Sequence, residues 1–394
     1  MAALKGIHLT TLLLSLLLIF WPSDSKHHYH HHHATTNATS MANPRLRRAY
    51  IALQAWRLLF YSDPSNITST WSGPNVCNYT GIFCAPAPDD PDILTVAGID
   101  LNFADIAGVL SPHLALLSDL ALIHLNSNRF AGLVPLEFGH LPLLFELDLS
   151  NNRFGGPFPS HLLNLPSLRY LDIRFNEFEG MLPPALLQTR LDAIFVNNNR
   201  FTSVIPSNIG ASTASVIVFA NNNFGGCIPE SISKLAESLE ELVLINANLT
   251  GCLPEAVGWL YKLKVLDVSS NRLVGHLPYS IAGLAKLEQL NVAHNMLTGP
   301  LLDAVCMLPV LENFTASDNY FFEEANVCQN LTSFNDTQNC LPERPRQRRK
   351  SECEAFGRHP VDCVAFHCEG GNNGASIVAP VGFPALAPSP GHGL

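Results

Sequence analysis

The 394-residue sequence contains no CxxC pair and no HExxH, GxSxG, GxxxxGK or GxGxxG string. The redox, zinc, acyl-transfer, phosphate-cradle and dinucleotide chemistries that need those spacings therefore have no anchor in it, and no enzyme, metal or cofactor is expected. Charge is scarce, 14% of residues, and tilted to acid with a net −10. That balance repels nucleic acid and suits a basic ligand. Long apolar runs are missing as well. The longest, Leu9 to Trp21, falls short of the roughly 20 residues that span a bilayer. Preceded by Lys5 and followed by Ser23 and Ser25, it reads as a secretory signal peptide over residues 1–25, and no membrane span is expected.

What is present fits export. Ten cysteines occur, an even number with no metal-ligand spacing, so disulfides are expected. Seven Asn-X-Ser/Thr sequons, at Asn37, Asn66, Asn78, Asn248, Asn313, Asn330 and Asn335, read as glycosylation sites. The run HHYHHHH from His27 reads as a disordered leader over residues 26–42, and the Gly/Ala/Pro-rich stretch 369–394 as a disordered tail.

Self-similarity dominates the rest. In one register, leucine-type residues fall at positions 1, 4 and 6, Asn at 9, Leu or Phe at 11, Gly at 13 and Pro at 16, as in LLFELDLSNNRFGGPFP from Leu143. Ten copies start at Val96, Leu120, Leu144, Leu168, Leu191, Ala214, Leu239, Leu263, Leu287 and Leu311, 23 to 25 residues apart. This is a leucine-rich repeat, and it predicts an α/β solenoid, a superhelix of about ten 24-residue repeats with disulfide-stapled caps. A short strand at positions 3 to 7 points 4 and 6 inward and 3, 5 and 7 to solvent. The Asn at 9 (Asn128, Asn152, Asn176, Asn199, Asn222, Asn271, Asn295, Asn319) should bond backbone groups left open by the turn, a structural role.

Terminal repeats need covers. Residues 43–61 predict an amphipathic helix with Asn43 as N-cap and Pro44 at its first position, inside an N-terminal cap over 43–95 stapled by Cys77 and Cys84. The repeats fill 96–327, and 328–368 reads as a cysteine-rich C-terminal cap. Cys227 and Cys252 fall at position 14 of successive repeats. Strands about 4.8 Å apart match the Cα spacing of a disulfide, so these two are expected to pair. Cys306 and Cys328 are expected neighbours; Cys340, Cys353, Cys363 and Cys368 have three possible connectivities. The run RPRQRRK from Arg344 reads as a solvated loop of the cap rather than a protease target or anion patch.

At position 5 the outward residues are Asp100, His124, Asp148, Asp172, Phe195, Val218, Val243, Asp267, Asn291 and Thr315. The middle three are apolar. With Val216, Ala220, Ile245, Tyr170 and Phe175 they predict an exposed apolar patch, flanked by acidic Asp100, Glu146, Asp148 and Asp172, as a ligand surface. The candidate site is Tyr170, Asp172, Phe175, Phe195, Val216, Val218, Val243, Ile245 and Asp148.

The strings VAGIDLNFADIAG, FELDLSNNRF, YLDIRFNEFEG, LDAIFVNNNRF, LEQLNVAHN, LENFTASDN, NCLPERPRQR and HPVDCVAFHC resemble the leucine-rich repeat extensins of plant cell walls, over about residues 41–368. The resemblance implies a protein of the wall or apoplast. Its repeats and cysteine-rich part would hold a small basic secreted peptide of the rapid alkalinization factor type in a homodimeric assembly, with wall polysaccharide or a receptor kinase ectodomain as further partners. It also implies a hydroxyproline-rich Ser-Pro tail. Here only dipeptides around Pro388 and Pro390 stand in that place, so the resemblance supports the peptide-binding half and not wall anchoring. Polygalacturonase-inhibiting proteins share the repeat, which makes inhibition of a wall-degrading enzyme the competing expectation; a structural wall glycoprotein is the third.

Overall fold

The computed structural model describes residues 43–359, 361–363, 366 and 368. The signal peptide, the His-rich leader, Asn37 and the tail lie outside them. Among the described residues no helix is long and apolar enough to cross a membrane.

The chain opens with helix α1, Pro44–Arg57. Asn43 caps it as the sequence predicts, its Oδ1 accepting from the N–H of Arg45 (2.9 Å) and Leu46 (3.3 Å). Leu46, Ala49, Leu53 and Trp56 form its buried stripe. The helix ends short of the expected residue 61. Phe60–Ser62 turns into a strand that pairs antiparallel with Ala107–Val109, closing the second face of the first repeat.

One sheet of twelve strands then runs the length of the solenoid. It begins with an antiparallel hairpin, β1 (Ile82–Ala87) and β2 (Asp90–Asp100). Parallel strands follow in chain order: β3 (Leu122–His124), β4 (Glu146–Asp148), β5 (Tyr170–Asp172), β6 (Ala193–Phe195) and β7 (Val216–Val218). After them come β8 (Glu241–Val243), β9 (Val265–Asp267), β10 (Gln289–Asn291), β11 (Asn313–Thr315) and β12 (Ser333–Asn335). In the repeats these strands span positions 3 to 5, not 3 to 7. Where position 5 is Asp or Asn, its side chain captures the backbone N–H at position 7, as when Asp148 Oδ1 accepts from the Ser150 N–H at 2.9 Å.

Each position-9 asparagine joins two repeats. Asn152 Nδ2 donates to the carbonyls of Leu149, Ser150 and Leu125 (3.1, 3.0 and 2.8 Å), and its Oδ1 accepts from Phe130 N (2.9 Å). The ladder breaks at Ala247, where Asn271 serves two N–H groups, and resumes through Asn319 to Asn339. With β12 paired to β11 and Leu341 buried, the repeat geometry runs one turn past Val327. Position 11 supplies the spine. Trp56 of α1 stacks on Phe130 at 5.7 Å, and Phe130, Phe154, Phe178 and Phe201 follow at 6.4 Å intervals with nearly parallel rings. Each such contact contributes roughly 0.5–1.5 kcal/mol beyond area burial.

The expected Cys77–Cys84 and Cys306–Cys328 bonds are present, and Cys340 pairs with Cys353, whose helix is Lys350–Gly357. The expected Cys227–Cys252 bond is not. Cys227 is bonded to Cys368 and Cys252 to Cys363. The reason lies in where the sulfurs lean. Cys227 Sγ lies over Gly251 of the next repeat, 2.8 Å from where a Cβ would stand, with Cys368 Sγ at 3.0 Å; Cys252 and Cys363 sit the same way over Gly275. Both glycines have φ near +80°, so position 13 is bare backbone on which a returning strap can rest. Between the two bonds Phe366 is buried against Val274.

The basic run also departs from a solvated loop. Arg344 bonds Asp336 (Nη2, 2.5 Å) and faces Glu324 (3.5 Å), while Arg348 donates to Asn319 O (2.7 Å) and lies 4.4 Å over the Tyr320 ring, which stacks on Phe356. Two of its arginines thus pin the cap to the last repeats.

Candidate functional site: the concave sheet and its turn edge

Strands β4 to β8 place the candidate residues side by side, with Asp148, Asp172, Phe195, Val218 and Val243 in register. The structure brings them together, but not as a uniformly exposed patch. Phe195 and Val216 are 5% exposed and Ala220 4%, whereas Tyr170, Asp148, Val218, Val243 and Ile245 are half-buried. Residues on one face of adjacent strands stand close enough to shield one another. The Tyr170 and Phe195 rings are 5.7 Å apart, and the Arg174 guanidinium covers Phe195 at 5.2 Å. The expectation of open apolar surface at Phe195, Val216 and Ala220 is therefore corrected.

Asp172, also expected to face solvent, is fully buried. Its Oδ2 meets Arg174 Nε (3.0 Å) and accepts from the Tyr170 hydroxyl (3.3 Å), and its Oδ1 accepts from Arg174 N (3.1 Å). Burial, with the Asp148 charge on the adjacent strand, pushes this carboxyl up to about 7. Burial likewise raises the Tyr170 phenol. On the flank, His124 Nε2 lies 3.0 Å from Glu146 Oε2. Burial alone would lower the imidazole, but Glu146, Asp148 and Asp100 outweigh it and raise it. Asp267 is raised by burial, against bonds from Ser269 and Asn291.

The acidic row is thus partly structural. Asp100, Asp148, Asp172 and Asp267 each use one oxygen to receive the N–H two residues on; the second oxygen of Asp172 meets Arg174 and Tyr170, and that of Asp267 accepts from Asn291.

The repeat period does not by itself single out one column at the turn edge of the sheet. Every repeat holds position 8 in the left-handed region, with φ between 48° and 59° at Ser127, Asn151, Asn198, Asn221, Asn246, Ser270, His294 and Asp318. Small or polar residues suit that geometry; a phenylalanine does not. Yet Phe103 (φ 56°) and Phe175 (φ 52°) occupy it, 78% and 45% exposed. Both rings are solvent-facing at the turn edge of the sheet, held in a backbone conformation that a bulky residue rarely adopts. The signal available in the sequence was the odd Phe in a column of Asn, Ser, His and Asp. Phe175 belongs to the expected site; Phe103 holds the same position three repeats earlier.

Among the described residues no group of His, Cys, Asp or Glu is placed to hold a metal ion. Of the sequons, Asn66, Asn78 and Asn330 are exposed, Asn248 is half-buried with Nδ2 on Asn223 Oδ1 (2.8 Å), and Asn313 and Asn335 lie on strands of the concave sheet.

A family model described as leucine rich repeat matches residues 118–178 and 237–297. The chain is 58% identical over 329 residues to leucine-rich repeat extensin-like protein 6 of Arabidopsis thaliana, covering 83% of this chain and 70% of that one. To leucine-rich repeat extensin-like protein 7 it is 62% identical over 331 residues, covering 84% and 76%. Against pollen-specific leucine-rich repeat extensin-like protein 3, 62% identical over 355 residues, it spans 89% of its own length but 48% of the relative's. Among solved structures it resembles the Arabidopsis receptor kinase HAESA ectodomain in complex with an extended IDA peptide hormone (TM-score 0.66, 27% identity, covering 75% of this chain and 50% of that one). It also resembles the plant peptide hormone receptor RGFR1 in complex with RGF2 (TM-score 0.59, 26% identity, 62% and 40%). Repeat, caps and sequence identity agree: the chain belongs to the leucine-rich repeat extensin-like proteins.

Proposed function

We propose that this is an extracellular, non-catalytic protein of the plant wall or apoplast that binds a small basic signalling peptide, of the rapid alkalinization factor type, on its concave face. The observation that carries the reading is the cluster of Tyr170, Asp172, Arg174 and Phe195 beside exposed Phe175, with Asp100, Glu146 and Asp148 on one side and half-buried Val218, Val243 and Ile245 on the other. The exposed Phe175 ring, with the accessible carboxylates of Asp100, Glu146 and Asp148 on the same face, suits a ligand that carries Lys or Arg among apolar residues. Two similar solved ectodomains are in complex with peptide hormones, which favours this surface for a peptide. A two-copy assembly, a receptor kinase ectodomain and wall polysaccharide are the further partners of this reading.

The test is titration of the secreted chain with synthetic basic peptides by calorimetry. Val218→Asp with Val243→Asp should abolish binding while secretion and thermal unfolding stay nearly unchanged. Binding that survives the double substitution would rule the patch out. The competing reading, inhibition of a wall polygalacturonase, requires inhibition in a pectinase assay. The cysteine-rich strap over the repeats is no part of that mode.

A further inference from the structure

Two Asn-X-Thr sequons lie on strands, both at one end of the concave sheet. In a strand alternate residues share a face. Asn313-Phe314-Thr315 on β11 therefore points Phe314 into the core, where it is fully buried, and Asn313 and Thr315 outward. Asn335 on β12 stands opposite Thr315 and is exposed. Its Oδ1 is engaged by the N–H (3.2 Å) and Oγ1 (2.9 Å) of Thr337, which turns Nδ2 outward. Among the described residues, neither Asn313 Nδ2 nor Asn335 Nδ2 donates to another protein atom, unlike Asn248 Nδ2. The outward strand residues beside them on β10 to β12, Gln289, Asn291, Thr315 and Ser333, are polar and uncharged, with Glu288, Glu312 and Asp318 only at the edges. Those strand residues include neither the aromatic nor the carboxylate groups of β4 to β8.

We propose that Asn313 and Asn335 both carry N-linked glycans, and that the two glycans cover β10 to β12, so that ligand contact on the concave face is confined to the strands before them. The second half rests on the concave-face binding reading above. In the transfer, Asn Nδ2 loses a proton and bonds to C1 of the first N-acetylglucosamine. The C1–O bond to the pyrophosphate of a lipid-linked oligosaccharide donor breaks, and the lipid pyrophosphate leaves. Donor and transferase belong to the secretory route. The fold's part is to leave room, and a glycan standing between strands about 4.8 Å apart must spread over its neighbours.

The test uses the full chain secreted from plant cells, with glycopeptides mapped after glycoamidase treatment in heavy-oxygen water. Both asparagines should convert to labelled aspartate, and Thr315→Val and Thr337→Val should each remove one glycan as a step in gel mobility. Should Thr315→Val fail to be secreted, Asn313→Gln serves instead. An unlabelled Asn313 or Asn335 overturns the proposal. Loss of both glycans should leave the affinity for a synthetic basic peptide within about twofold, whereas a glycan installed mid-face on half-buried, outward positions by Val243→Asn with Ile245→Thr should abolish it. A roughly tenfold loss on removing the native glycans would show that the ligand uses this end and overturn the confinement. If no basic peptide binds the wild-type chain, the peptide reading fails, and glycopeptide mapping still decides the glycans.

Discussion

Cys227 is bonded to Cys368, 141 residues further along the chain, and not to Cys252 in the adjacent repeat. With Cys252–Cys363 beside it, this bond folds the last described segment back along the ridge of the middle repeats, so that the C-terminal cap is laid over the side of the solenoid as well as its end. Non-reducing peptide mapping should recover 227–368 and 252–363 as linked pairs. Cys368→Ser should lower stability by about 2–4 kcal/mol in denaturant unfolding, since it releases a long closed loop. A recovered 227–252 link would contradict the arrangement.

Stability and binding should part company at the rim. Phe175→Asn, alone or with Phe103→Asn, replaces an aromatic in left-handed backbone by the residue most at home there. Unfolding free energy is expected to rise by about 1 kcal/mol per site, while peptide affinity falls at least tenfold. Destabilisation, or unchanged affinity, would mean that the rings pack rather than bind.

Two carboxyls should make the fold prefer acid. Burial, followed by Asp336, pushes Glu324 up to about 7, and Asp172 is raised to about 7 by burial and then Asp148. Both values exceed those of the unfolded chain. From the ordinary carboxylate range up to about pH 7 the folded state therefore holds more protons, and stability falls as pH rises through that window. Thermal unfolding should come at lower temperature at pH 8 than at pH 5. Glu324→Gln and Asp172→Asn should each narrow the gap by stabilising the protein at pH 8. A gap unchanged in both variants would dismiss these groups as its source.

The asparagine ladder can be tested at one rung. Asn176 Nδ2 donates to the carbonyls of Leu149, Ile173 and Arg174, and its Oδ1 receives Phe154 N. Asn176→Ala strands buried backbone groups in two repeats and should cost about 2–4 kcal/mol, measured by denaturant unfolding. A loss under about 0.5 kcal/mol would show that water replaces the rung.

Much of this molecule was legible in its residues because a repeat states each physical need many times. Leucines at 1, 4 and 6 set the core, the position-9 asparagines set the turn, and Asn43 with Pro44 sets the start of α1; these depend on neighbours in sequence or one repeat away. Cys77–Cys84 and Cys306–Cys328 were legible for the same reason. What tertiary structure alone decided involves contacts that no period encodes. Strand spacing permitted a Cys227–Cys252 bond, but the sulfurs lean over Gly251 and Gly275, where a strap from beyond residue 360 meets them. Alternation placed Asp172 and Phe195 on the concave face, but only the contacts of Tyr170 and Arg174 show how that part of the face is packed. Periodicity determines which way a side chain points; what it then meets depends on chain segments brought back from far along the sequence.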